Sequence, residues 1–449
     1  MYFAREVLIT LWMRANSAWG PSSFHASFDA LIARPLLEDI CSDCGPARRR
    51  PPKLELPALI QSMVFHCLQG AGTLARNVKY CVGTVLSDSA LAQRRAALGF
   101  EPFYWILQAA LGPKARPTAH PQAFYKHKRL VALDGSRFSV SNTPQVSGVM
   151  FKAVSRRFRA AFAKVGVCVL VELGLRNPLA ASIGIKHESE MALAQPLLEQ
   201  IPEDALTLGD RHYGVRPVIA RMFELGRDFL FRVKSNFKRR LVEHHPDGSA
   251  LVEIETPTGR RRVREVMGQV RRPGGHWATV RLWTSLLDWK TYPAAELLEL
   301  YGRRWEEEIF YRELKVDLRR QPLLQSHTPE TAAQEVAALL LAQAILVDQR
   351  MEAARQGKVE VLRISFRQTL RLLQPLWLLL GCSQGILTPD QIRQMVRRVM
   401  AELAATALGP RRQRSCPRAV RQPVSSWPRL LTNTCQTGPT EFEVMPITR

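Results

Sequence analysis

Negative charge is the scarcest resource in this sequence. Its 449 residues include 40 Asp plus Glu against 63 Lys plus Arg, a formal net charge of +23. Such a chain is poorly suited to cationic partners. Lys and Arg gain free energy by displacing counterions condensed on a polyanion, so nucleic acid is the first expectation for a partner. Long apolar runs are also missing. The best, Val336 to Val347, carries Gln343 and falls short of the roughly 20 residues that span a bilayer. The N-terminal stretch is broken by Arg5, Glu6 and Arg14, without the order of charge, apolar core and cleavage site that marks a signal peptide. These absences predict a cytoplasmic protein with no membrane partner. Eight cysteines are too few for a disulfide scaffold at this length. Cys41 and Cys44 form a CxxC with no second CxxC or HxxxH to complete a zinc site, which favours free thiols. Core material is plentiful. With 46% hydrophobic residues the chain is not a disordered basic tail, and its length suggests about two to four domains.

The charge is unevenly spread. Residues 121–240 carry a net +10, whereas 241–330 are neutral. The neutral stretch holds Glu306, Glu307, Glu308 and Glu313. Such a carboxylate cluster is either a salt-bridged helix face or a site for a divalent cation.

Three textures follow one another along the chain. Residues 1–120 read as a helical domain, with three-to-four apolar spacing over 24–40, 58–68 and 90–111 and breaks at Gly45-Pro46 and Pro51-Pro52. Its basic loop from Arg48 to Lys53 suits phosphate contact, or is simply solvated. From about 125 to 350 the pattern is α/β. Residues 129–133 and 137–140 read as strands on either side of an acidic turn at Asp134-Gly135, residues 165–175 and 180–185 as further strands, and 205–209 as a short strand ending at Asp210. Acids at strand ends place a site along the sheet edge. Residues 238–292 alternate as antiparallel strands, a β-rich insertion. A helix is expected over 294–318, then a C-terminal helical region to 409, with 410–449 a poorly ordered basic tail.

On a helix of about 100° per residue, Tyr301, Arg304, Glu308 and Lys315 fall within an arc of roughly 60°. One face would then present a phenol, a guanidinium, a carboxylate and an ammonium, which suits a phosphodiester beside a metal. A salt-bridged surface face is the bland alternative. With Asp134 and Asp210, Glu308 makes three carboxylates that could hold two divalent ions for in-line displacement at phosphorus.

The stretches Leu133-Asp134-Gly135-Ser136 and Gly209-Asp210-Arg211-His212-Tyr213-Gly214, with the spacing Y-x2-R-x3-E-x6-K at Tyr301, Arg304, Glu308 and Lys315, resemble bacterial DDE-class insertion-sequence transposases, specifically the insertion sequence four family. The resemblance covers about residues 125–350. It implies a ribonuclease H-like catalytic core interrupted by a β-rich insertion. It also implies cut-and-paste transposition through a hairpin on the transposon end, with Asp134, Asp210 and Glu308 holding two Mg²⁺ ions and Mn²⁺ able to substitute. It further implies Tyr301 and Arg304 on the phosphate near a flipped base, Lys315 on the transposon end, and a homodimer bridging terminal inverted repeats and target DNA near the nucleoid. The sequence departs from the family at the stacking Trp, whose place is taken by Val280. Trp283 and Trp277 lie nearby at odd separations from Thr284, so core packing is the first expectation and base stacking by Trp283 the minority one. Arg156, Arg157 and Arg159, interleaved with Phe151, Phe158 and Phe162, are candidate DNA contacts, with a solvated face the even alternative. His212 is left as a residue that orients its neighbours. Two rivals remain: a catalytically dead repressor, against which the three acids argue, and a stand-alone metal nuclease, against which the helical domain and the Y-R-E-K face argue.

Overall fold

The computed structural model describes residues 23–44, 52–150, 152, 161–271, 277–383, 386–409, 414–415, 436–437 and 441–445. Its centre is a mixed sheet. Strands β1 (Lys128–Val140), β2 (Ala163–Glu172) and β3 (Asn177–Ile183) form an antiparallel meander. The chain then crosses through the helix Glu190–Leu198 to β4 (Ala205–Gly209), parallel to β1, and through Arg216–Glu224 to β5 (Asp228–Arg232), parallel to β4. The spatial order β3-β2-β1-β4-β5 is that of a ribonuclease H-like core. The strands in the middle are apolar on both faces because helices cover both sides, as parallel pairing requires.

The β-rich insertion does not fold away from this core. Its strands β6 (Arg240–His244), β7 (Ala250–Thr256), β8 (Gly259–Arg271) and β9 (Trp277–Thr284) continue the same sheet, because β9 pairs antiparallel with β5. Glu441–Val444 also adds to the sheet by pairing with residues 268–271 of β8. These four residues therefore depart from the poorly ordered tail expected of 410–449, most of which lies outside the described residues.

The described residues from 24 to 110 are largely helical, with more breaks than periodicity alone suggested. The stretch 24–40 divides into Phe24–Leu31 and Arg34–Cys44, and 90–111 divides at Gly99, whose φ is +69°. The helix Leu74–Val82 lies outside the three spans expected from the sequence. These helices share one continuous core with Pro329–Gly357, Phe366–Cys382 and Pro389–Ala405. Pro329–Gly357 is the spine of that core. It is long and apolar enough to cross a membrane by length and composition, and 89% of its apolar window is buried against the rest of the protein.

Candidate active site

Asp134 is not in a turn. It sits in the middle of β1, whose pairing with β2 runs unbroken through Asp134↔Val169 and Gly135↔Cys168. Glycine permits this because a Cβ at Gly135 would meet the Glu190 side chain at 2.2 Å. The parallel register of β1 and β4 pairs Ala132 with Leu208. Two residues further along each chain stand Asp134 and Asp210, on the same side by the period of a strand. Asp210 closes a tight turn: its Oδ1 accepts the His212 N–H at 2.7 Å and its carbonyl accepts those of Tyr213 and Gly214. A Cβ at Gly214 would lie 2.0 Å from the Arg232 carbonyl oxygen, so only glycine fits there. Burial pushes the Asp134 carboxyl up to about 6. The Gly135 N–H opposes this, Glu190 and Asp210 add to it by repulsion, and Arg304 opposes it again.

The segment carrying the Y-R-E-K spacing is not one uniform helix. It is α-helical over Ala294–Tyr301, tightens to 3₁₀ over Gly302–Arg304, returns to α over Trp305–Arg312 and widens to π over Glu313–Leu318. Each change of pitch rotates the residues beyond it, so a single-pitch wheel misplaces them. Arg304 Nη2 donates to Glu308 Oε1 at 2.9 Å. Burial pushes the Tyr301 phenol up to about 12, although Arg304 and Arg232 oppose it. Lys315 reaches β1, where its Nζ donates to Ser136 Oγ and, at 2.8 Å, to the Arg137 carbonyl. Burial, then Arg319 and Lys164, bring its ammonium down to about 8.

The four glutamates of this neutral stretch have different fates. Arg176 binds Glu306 Oε2 at 2.7 Å and Glu313 Oε1 at 2.6 Å, two ion pairs in a buried setting. Glu308 is 39% exposed on its side chain and belongs to Arg304. Glu307 is fully buried, and neither carboxylate oxygen has a hydrogen-bond partner. Burial raises its pKa well above the usual range, and the charges of Asp134, Asp210 and Glu190 raise it further against Arg304. One turn on, Tyr311 donates its hydroxyl to the Asp134 carbonyl at 2.7 Å. Tyr213, three residues past Asp210, donates to Glu190 Oε1 at 3.0 Å. The sequence named Glu307 only as one of an acidic cluster and did not point to Tyr311 or Glu190. The available signal was the four-residue spacing of Glu307 and Tyr311, which shares a helix face.

Among the described residues no three His, Cys, Asp or Glu side chains are gathered tightly enough to clasp an ion as they stand. The donor chemistry nonetheless fits a hard divalent cation. The acids repel one another, one is buried without a partner, and carboxylate oxygens are the donors such an ion prefers.

Trp283 is part of the core. It is fully buried, donates its Nε1–H to Glu265 Oε2 at 2.8 Å and packs against Phe237. The strand is buried on both faces from Val280 to Thr284, while Trp277, on the same face as Trp283, is exposed, so position along the strand decides its burial. Arg156, Arg157 and Arg159 lie outside the described residues, as does the loop 48–51.

Residues 125–345 match the transposase DDE domain family. The chain is 26% identical over 346 residues to transposase InsG of insertion sequence element IS4 from Escherichia coli strain K12, covering 75% of this chain and 77% of that one. A solved structure of a piggyBac transposase synaptic complex with hairpin DNA covers 85% of both chains at 8% identity, with a TM-score of 0.41.

Proposed function

This chain belongs to the DDE-class transposases of the insertion sequence four family, and on that premise we propose that it moves its element by a Mg²⁺-dependent cut-and-paste route. In that route the element ends are cleaved through a hairpin and then joined to target DNA. The observation that carries the proposal is the placement of Asp134 and Asp210 two residues beyond the paired Ala132 and Leu208 on neighbouring parallel strands. Tyr311, on the signature segment, is tied to Asp134 itself.

Asp134, Asp210 and Glu308 would hold the divalent cations, Mg²⁺ or Mn²⁺. When bound, these activate an oxygen nucleophile and stabilise the leaving oxygen at phosphorus. The protein's own groups do the rest. Arg304 lies between Tyr301 and Glu308. A DNA phosphate reaching Arg304 takes over its guanidinium, and this frees the Glu308 carboxylate. Lys315, held at Ser136 and Arg137 at the far end of β1, supplies a cation beyond the acids for the transposon end. Residues 1–120 would grip the terminal inverted repeats and 125–350 carry the chemistry. A homodimer would pair two ends, and Arg156, Arg157 and Arg159 would add phosphate contacts.

Glu308→Ala tests this reading. Paired-end DNA should still be bound, while cleavage in Mg²⁺ or Mn²⁺ falls to background. Retained cleavage removes Glu308 from the site.

A further inference from the structure

Buried glutamates in this protein are provided for. Glu172 is fully buried and accepts the backbone N–H groups of Lys114 and Ala115 and the side chain of Asn177 while paired with Arg129. Glu265 is fully buried and takes Arg239, Arg281 and the Trp283 indole. Glu313 is 1% exposed and is held by Arg176 and Gln343. Glu307 is fully buried, yet both its oxygens are left without a donor. A buried carboxylate without partners is among the least favourable arrangements a fold can keep. A protonated Glu307 does not resolve the problem, because its hydroxyl would then need an acceptor, and neither oxygen has a neighbour at hydrogen-bond distance.

Helix phase says where this group points. Glu307 and Tyr311 are four apart within Trp305–Arg312 and share a face. The Tyr311 hydroxyl is fixed on the Asp134 carbonyl, so the Glu307 carboxylate lies one turn away on the side of the aspartates. Asp134 and Asp210 both act on it through space. Glu308, the next residue round, is turned about 100° away toward Arg304.

We propose that Glu307 is itself a metal-holding carboxylate, which completes with Asp134 and Asp210 the inner wall of the cation site while Glu308 remains on Arg304 until DNA arrives. This rests on the metal-dependent reading above and adds a fourth acid to it.

The test is Mn²⁺ binding by the full chain without DNA, read by electron paramagnetic resonance or calorimetry, with the melting temperature as a second readout. Wild type is expected to bind Mn²⁺ and to melt higher when it does. Glu307→Gln should bind about 10–100-fold more weakly, the size of effect seen when a metal site loses a supporting group, and its melting temperature should no longer respond to Mn²⁺. Without metal it should melt at or above wild type, since the substitution replaces a buried carboxyl that has no partner. If Glu307→Gln does not fold, Glu307→Asp decides: weakened Mn²⁺ binding supports the inference and wild-type binding overturns it. Asp134→Asn separates the two layers. If it loses Mn²⁺ while Glu307→Gln binds as wild type, Glu307 is excluded and the metal-dependent reading stands. If wild type binds no Mn²⁺, or Asp134→Asn binds as well as wild type, both fail.

Discussion

Glu265 in the insertion and Glu307 beside the aspartates are both fully buried glutamates, and they are opposites. Glu265 receives two guanidinium groups and an indole N–H, so its charge is spent within the fold and holds β8 against β9 and the loop before β6. Glu307 receives none, so nothing in the fold satisfies its carboxyl oxygens. The lesson is that burial of an acid says little about its role until its counter-charges are counted. The helix Trp305–Arg312 makes the same contrast in miniature, with Glu306 spent on Arg176 and Glu307, one residue later, spent on nothing.

The contrast can be broken most forcefully on the active side. Asp134→Asn or Asp210→Asn should lower cleavage of paired-end DNA by about 10³-fold or more, the several kcal/mol that a lost metal-holding carboxylate represents. Circular dichroism and melting should stay near wild type, because neither carboxylate is one of the buried ion pairs. The reverse pattern is expected on the insertion side. Glu265→Ala removes the buried counter-charge of Arg239 and Arg281, so it should cost about 3–5 kcal/mol in denaturant unfolding and leave Mn²⁺ binding intact.

His66, in Leu56–Gln69, is a half-buried ionisable group belonging to neither region. Burial first, and Arg95 second, bring it down to about 4, and its Nδ1 lies 2.7 Å from the Asn77 amide nitrogen. Its folded value lies below its unfolded one, so the unfolded chain takes up the proton first as pH falls. Stability is therefore whole above about 6.5 and is lost between there and about 4, by about 3 kcal/mol. His66→Gln should flatten that part of a stability-against-pH curve.

The smallest effect sharpens the insertion side. Trp283→Phe keeps the ring but loses the N–H to Glu265, and about 1–2 kcal/mol of stability should go with it. Hairpin formation at the transposon end should be untouched. A drop in hairpin yield at unchanged stability would restore Trp283 as a stacking residue.

Much of the fold was legible because it is written locally. Apolar runs of five to ten residues alternating with helical spacing gave most of the core strands and their order in the chain, and Asp210 at the end of 205–209 was placed as expected. The continuous β1 was not legible, since Asp-Gly is ordinarily a turn, whereas in the fold it pairs with β2 without a break at Asp134 and Gly135. Nor was the joining of the insertion to the main sheet, which depends on β9 meeting β5 some fifty residues away in sequence.

The sequence by itself determined the chemical groups: the acids, the cations and their gaps, the excess positive charge, and, through the family resemblance these carry, a DDE-class transposase. Only the tertiary structure decided which of three consecutive glutamates faces Asp134 and which is neutralised. Their identical side chains carry no phase, and the pitch of the segment changes from 3₁₀ to α just before them. The arginine that neutralises Glu306 comes from 130 residues earlier. Spacing fixes which groups a helix carries, but the pairing of a charge is a property of everything that folds against it.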